Sequence, residues 1–176
     1  MIELLIFGLV VTGGVLLFPK SVGATLPPVS DILQPAQISN VDLDTLARTI
    51  WGEARGEGYS GMQAVANVIM NRYEQAQASV AKARQFGGTV SEICRKPYQF
   101  SAWNITDPNF SKMQAVRTAD AQFRQALDIA EKALRGTLSD ITGGADHYHT
   151  AAVDPSWSRG VEPVAVINSH QFYRLA

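Results

Sequence analysis

The sequence predicts a single, mainly helical α+β domain with a short β region near its C-terminus, and three observations predict it. Apolar residues recur at i, i+3, i+4 and i+7 within residues 43–54, 61–77 and 111–135, which is the period of helices with one buried face. After Gly143-Gly144 that period disappears, and residues 145–151 and 163–174 hold aromatic and β-branched side chains in short extended runs. A chain of 176 residues, 46% hydrophobic and 18% charged, is large enough for one domain with a substantial core and too small for two full ones.

Residues 4–18 carry no charge and are closed by Pro19 and Lys20. As a helix this run would span roughly 22 Å at 1.5 Å per residue, short of the roughly 30 Å hydrocarbon layer. Val22-Gly23-Ala24 supplies small residues of the kind a signal peptidase accepts, although Glu3 stands where a basic start is expected. Residues 1–19 are therefore expected to be a signal peptide or, loosened by Gly8, Gly13 and Gly14, a weak signal anchor in the inner membrane. Residues 20–40, with Pro27, Pro28 and Pro35 among Ser, Gly and Gln, read as an extended linker. Residues 41–176 then form the exported functional domain, in the periplasm or cell wall.

Its first helix contains Leu43, Leu46, Ala47, Ile50, Trp51 and Ala54, with Asn40 or Asp42 available as a cap. If it continues, Leu46, Ile50, Glu53 and Glu57 share one edge, although Gly52, Gly56 and Gly58 weaken it. The second, from about Gly61 to Gln77, is apolar nearly all round through Met62, Val65, Ala66, Val68, Ile69 and Met70, as expected at the centre of a domain. Asn67, Asn71 and Arg72 interrupt that surface. The third runs from about Ser111 to Arg135, with Val116, Ala119, Phe123, Ala126, Leu127, Ala130 and Leu134 on one stripe and Gly136 placed to end it. Val164-Ala165-Val166-Ile167 and Phe172-Tyr173 are the strand candidates.

Fifteen basic against sixteen acidic residues leave a formal charge of −1, which excludes the electrostatic footprint of a nucleic-acid binder. A lone cysteine excludes an internal disulfide framework; Cys94, between Ile93 and Arg95 with no nearby His, reads as a buried structural thiol.

Glu53 is the leading candidate for chemistry. A carboxyl beside Ile50 and Trp51 is partly desolvated, which raises its pKa and keeps the proton needed to protonate a leaving oxygen. The plain alternative is a Glu paired with Arg55 or Arg72, an interaction worth little when exposed. Glu57 would lie about 6 Å from Glu53 at Cβ on a continuous helix, near the spacing of two-carboxylate glycosidases, as a second acid or as a residue that orients its neighbours. His147 and His149 would face one side of a strand, and with His170 arriving from the next one could hold zinc for a peptidase or amidase. Tyr98-Gln99-Phe100-Ser101-Ala102-Trp103-Asn104 combines aromatic faces that stack on sugars with amides and hydroxyls that bond them, or else plugs the core.

In their order along the chain, Trp51-Gly52-Glu53-Ala54-Arg55-Gly56-Glu57, Ala64 to Arg72, Ile93-Cys94, Gln99 to Trp103, Asp140 to Ala145 and His170-Gln171-Phe172-Tyr173 resemble the blocks of the SleB-type cell wall hydrolases, which include spore-cortex-lytic enzymes and phage endolysins. The resemblance covers about residues 43–174. It implies a lysozyme-like, lytic-transglycosylase-like domain that cleaves peptidoglycan glycan strands between N-acetylmuramic acid and N-acetylglucosamine without a cofactor. The family's catalytic acid falls on Glu53, and a 1,6-anhydro product is the expected outcome. Glu57, Asn71, Gln99, Phe100, Ser101, Trp103 and Tyr148 are assigned to holding the sugars. The family's spore-cortex members usually carry a further peptidoglycan-binding domain, for which the short linker leaves no room, so different targeting is expected. No metal site and no nucleic-acid partner are expected, and the domain is read as a monomer. A zinc-dependent amidase or peptidase using His147, His149 and His170, and a non-catalytic glycan-binding module, are the rival functions.

Overall fold

The computed structural model describes residues 38–175. The expected signal or anchor segment and most of the linker lie outside the described residues. Among the described residues no helix is long and apolar enough to cross a membrane.

Helix α1, Asn40–Ala54, buries Leu46, Ala47, Ile50, Trp51 and Ala54, the stripe that its period predicts. Its cap is Ser39, whose hydroxyl accepts from the Asp42 N–H at 3.4 Å. Asp42 instead accepts from the Ser91 N–H at 2.8 Å and ties the start of α1 to a later helix. The helix stops after Ala54, where φ −137° and ψ 15° leave the helical basin, and Arg55–Glu57 form one 3₁₀ turn.

Helix α2, Gly58–Ala78, runs through the centre. Met62, Val65, Ala66 and Ile69 face the main core with α1, while Ala64 and Val68 meet Ala145 and Phe172 of the β region. A helix with both sides buried must be apolar nearly all round, as its sequence is. Two short helices follow, α3 (Val80–Phe86), capped by Ser79, and α4 (Val90–Arg95), opened by a capping box of Thr89 and Glu92.

The single helix expected over 111–135 is two, α5 (Phe110–Ala115) and α6 (Ala121–Leu134). Asp120 causes the break. Its carboxylate accepts from the Phe123 N–H at 2.8 Å, which starts a new helix, and from Trp51 Nε1 at 3.3 Å. Arg48 completes the break by donating to the carbonyls of Met113, Gln114 and Val116, which α5 leaves unpaired at its end. Gly136, at φ +68°, follows α6 as expected.

Strands β1 (His147–Thr150), β2 (Ala165–Ile167) and β3 (His170–Tyr173) form an antiparallel sheet in the order β1-β3-β2. Tyr148 pairs with Phe172 and Thr150 with His170. One face, with Tyr148, Phe172, Ala165 and Ile167, packs on α2.

Candidate active site

Glu53 lies one residue before the end of α1, and the helix brings it, partly buried, beside a turn 49 residues away in sequence. That approach depends on Gly52. A Cβ built there would stand 2.6 Å from the Ala102 Cβ and 3.3 Å from the Met113 Sδ, so only glycine lets the Ser101–Trp103 turn lie against the helix. The turn then donates the Ala102 N–H to Glu53 Oε1 at 2.9 Å, with the Ser101 hydroxyl at 3.5 Å. From the opposite wall the Tyr148 hydroxyl donates to Oε2 at 3.0 Å.

Burial pushes the Glu53 carboxyl above its usual range; the hydrogen bonds from Ala102 and Tyr148 partly offset this, and the charge of Asp107 adds to it. Burial and the adjacent carboxylate push the Tyr148 phenol well above its own usual range, so it remains a donor. The outcome is a carboxyl shifted toward its protonated form, with both oxygens oriented.

Glu53 borders two hollows. A cleft of about 570 Å³ is lined by Glu53, Tyr148, Gln99 and Ser101 together with Arg72, His147 and Trp157. A second, of about 280 Å³, is lined by Glu53 with Arg55, Glu57 and Asn109. A chain molecule could therefore pass the carboxyl on both sides. The cleft floor is stiffened by Arg72, only 5% exposed, which donates to the Asp146 carbonyl and to Gln99 Oε1, both at 2.6 Å. Its guanidinium lies 5.2 Å and 5.3 Å from the ring centres of Phe86 and Phe100.

Of the expected sugar-holding residues, Gln99, Ser101 and Tyr148 line this cleft. Four others take different places. Phe100 is 1% exposed and belongs to the core beneath Arg72, because the backbone turns its ring inward. Trp103 gives its indole N–H to Thr49 Oγ1 at 2.9 Å and lines a neighbouring hollow instead. Asn71 braces the loop at 140–145, donating to the Ala145 carbonyl at 2.9 Å. Glu57 does not share a helical edge with Glu53, since the helix has already ended. Its carboxylate accepts from the Ser169 hydroxyl at 2.8 Å and the Ser169 N–H at 3.2 Å, so it anchors the β2–β3 turn. The Ser169 hydroxyl draws its pKa down against a smaller opposing effect of burial.

The three histidines do not converge. His147 and His149 share a strand face, as alternation requires, and both pack against Trp157. His170 pairs with Thr150 in the register, which puts it on the opposite face, against the Tyr148 ring. Their ring nitrogens are also engaged: His147 with Asp146 at 2.8 Å, and His149 with the Thr150 carbonyl and the Tyr173 hydroxyl. Burial works against the charge on Asp146, but hydrogen bonds from His147, the Leu175 N–H and Gln75 outweigh it and hold its pKa at about 2. Among the described residues no three potential ligands form a metal-holding group. Cys94, fully buried and with its pKa pushed up to about 12, is an inert thiol.

Trp157 and Arg72 are the site residues that sequence patterning does not reach. Arg72 had one signal, a cation on a helix otherwise apolar all round. Trp157 had another, a large aromatic isolated among Asp154, Pro155, Ser156 and Ser158.

The family model described as Cell Wall Hydrolase matches residues 56–173. The chain is 36% identical over 129 residues to the spore cortex-lytic enzyme of Halalkalibacterium halodurans, covering 71% of this chain and 33% of that one. It is 31% identical over 131 residues to the spore cortex-lytic enzyme of Bacillus cereus, covering 71% and 42%. It thus spans well under half the length of these relatives. Among solved structures, the catalytic domain of the Bacillus cereus SleB protein matches with a TM-score of 0.59 at 28% identity, over 80% of this chain and 94% of that one. The catalytic domain of the germination-specific lytic transglycosylase SleB from Bacillus anthracis gives the same score and identity, over 80% and 100%. The mainly helical, lysozyme-like fold with a small C-terminal sheet is the one expected.

Proposed function

The chain belongs to the cell wall hydrolase family, and we propose that its cleft binds peptidoglycan and cleaves the glycan strand between N-acetylmuramic acid and N-acetylglucosamine, with Glu53 as general acid and then general base. The observation that carries this reading is a single desolvated carboxyl, held by Ala102 and Tyr148 at the junction of two hollows. Glu53 gives its proton to the bridging oxygen as the bond from that oxygen to the muramic acid C1 breaks. The positive charge left on the sugar is stabilised by its own acetamido oxygen and by the negative Glu53. The C6 hydroxyl then attacks C1 and returns its proton to Glu53, closing a 1,6-anhydro ring.

Asp107, whose charge acts on Glu53, already accepts from the Asn109 N–H at 2.7 Å, and among the described residues no carboxylate is hydrogen-bonded to Glu53, which favours this route over a double displacement. Glu57, the nearest acid in sequence, is tied to Ser169, and Glu53 itself receives only neutral donors. The test is digestion of purified peptidoglycan with mass analysis of the fragments. Muramic ends lighter by one water support ring closure; reducing muramic ends give hydrolysis in its place, and release of peptides alone sinks glycan cleavage altogether. Because the wall lies outside the cytoplasmic membrane, the reaction requires export, for which residues 4–18 are the available segment.

Two substitutions test the cleft itself. Gly52→Ala forces the Ser101–Trp103 turn off α1 and separates Ala102 from Glu53. Loss of one hydrogen bond to a charged or developing charge is worth about 1.5 kcal/mol or more, so turnover of wall suspensions is expected to fall about tenfold or further. Trp157 is 37% exposed, and its ring is backed by His147, His149 and Tyr173 at 5.2–5.4 Å, a rigid platform at the cleft wall. Trp157→Ala is expected to raise KM about three- to tenfold with little change in kcat. An unchanged KM would remove Trp157 from the sugar path.

A further inference from the structure

Pro97 borders three hollows: the Glu53 cleft, one of about 430 Å³ and one of about 510 Å³. The outer two are lined by Arg84, Arg95 and Lys96, and the only acid among their lining residues is Glu92. Glu92 is turned toward the helix start, its Oε2 accepting from the N–H groups of Gly88 at 2.7 Å and Thr89 at 3.3 Å. Among the described residues neither Glu92 nor any of the three cations forms a salt bridge. Lys96 donates to the Arg84 carbonyl, and Arg95 rests 4.9 Å above the Trp103 ring with one bond to Thr45. Three cations against one carboxylate leave this shelf with a net positive charge in a chain of formal charge −1. Between the shelf and the cleft stands Tyr98, which lines both the cleft and the nearer hollow, is 93% exposed, and is held at φ +64°.

We propose that this shelf binds the free carboxylates of the stem peptide that muramic acid carries on its lactyl group. The inference rests on the reading that the cleft takes peptidoglycan. A muramic acid residue in the cleft can send its peptide across Pro97 and the Tyr98 ring, where guanidinium and ammonium groups without salt-bridge partners meet carboxylates. Stem-bearing strands with free carboxylates are then preferred over stripped or amidated ones, and the preference weakens as salt rises.

The full chain is titrated with a synthetic stem tetrapeptide bearing free carboxylates and with its amidated counterpart, alongside the Arg84→Glu, Lys96→Glu double variant. The free peptide is expected to bind at least tenfold more tightly than the amidated one, and the double variant to lose that difference. On stem-bearing glycan the double variant should show a raised KM at unchanged kcat, and on amidase-stripped glycan no change at all. If the double variant melts early, Arg84→Gln, at an exposed side chain, replaces it and is expected to lose part of the difference. Equal binding of the two peptides, or an unaffected variant, overturns the proposal. So does tight binding of poly(glycerol phosphate) with none of the peptide, which would make the shelf a site for a phosphate polymer. The peptide titration does not depend on catalysis, so a chain that fails to cut glycan sinks the proposed reaction while the shelf is still measured.

Discussion

Glu53→Gln is expected to lower the rate of peptidoglycan solubilisation by about 10²–10⁴-fold, the usual contribution of a positioned general acid, while the fold survives. The amide still accepts from Ala102 and contacts Tyr148, but it has no proton to give. The stability of the variant carries a second signature. Because burial raises the Glu53 pKa in the folded chain, its contribution to stability is complete below the unfolded carboxyl's pKa and is lost as pH rises through the folded value. Glutamine carries no charge to desolvate. The variant should therefore melt higher than the parent at about pH 8, and the difference should shrink at about pH 4, near the carboxyl's ordinary range. The parent's activity should fall with rising pH through the same folded pKa, since only the protonated acid starts the reaction. Parental activity in the glutamine variant would refute the proposed mechanism, and an unchanged melting difference across pH would refute the desolvated carboxyl.

Arg72→Ala is expected to be the most destabilising single substitution at the site, by about 3–5 kcal/mol. Truncation strands the Asp146 carbonyl and Gln99 Oε1, both bonded at 2.6 Å, and opens a void between Phe86 and Phe100. For a domain of this size that corresponds to roughly 10–20 °C in Tm, measured by thermal or urea unfolding. Arg72→Lys should recover only part of the loss, because an ammonium cannot replace the planar fork that serves both acceptors. A shift below about 1 kcal/mol would show that Arg72 is solvated and that Gln99 is positioned by something else.

The long elements are legible in the chain because each reports its burial locally. The stripe of α1 and the nearly continuous apolar surface of α2 follow from contacts every third or fourth residue, and Glu53 stands out as a carboxyl set among such neighbours. Helices α3 and α4, with 7 and 6 residues, are too short to display a period and rest on their caps. The break between α5 and α6 turns on how Asp120 and Arg48 spend their hydrogen bonds, which no stripe of apolar residues reveals.

Composition and periodicity alone settle the fold class, the helical setting of Glu53 and the central place of α2, since these depend on interactions within a turn or two of the chain. What surrounds the carboxyl is decided elsewhere. Tyr148 and Ala102 reach it across 95 and 49 residues, Glu57 departs with the end of a helix, and a strand register sends His170 to the face away from His147 and His149. Such contacts are fixed by how whole helices and the sheet pack together, and a local pattern carries no information about packing between segments distant in the chain.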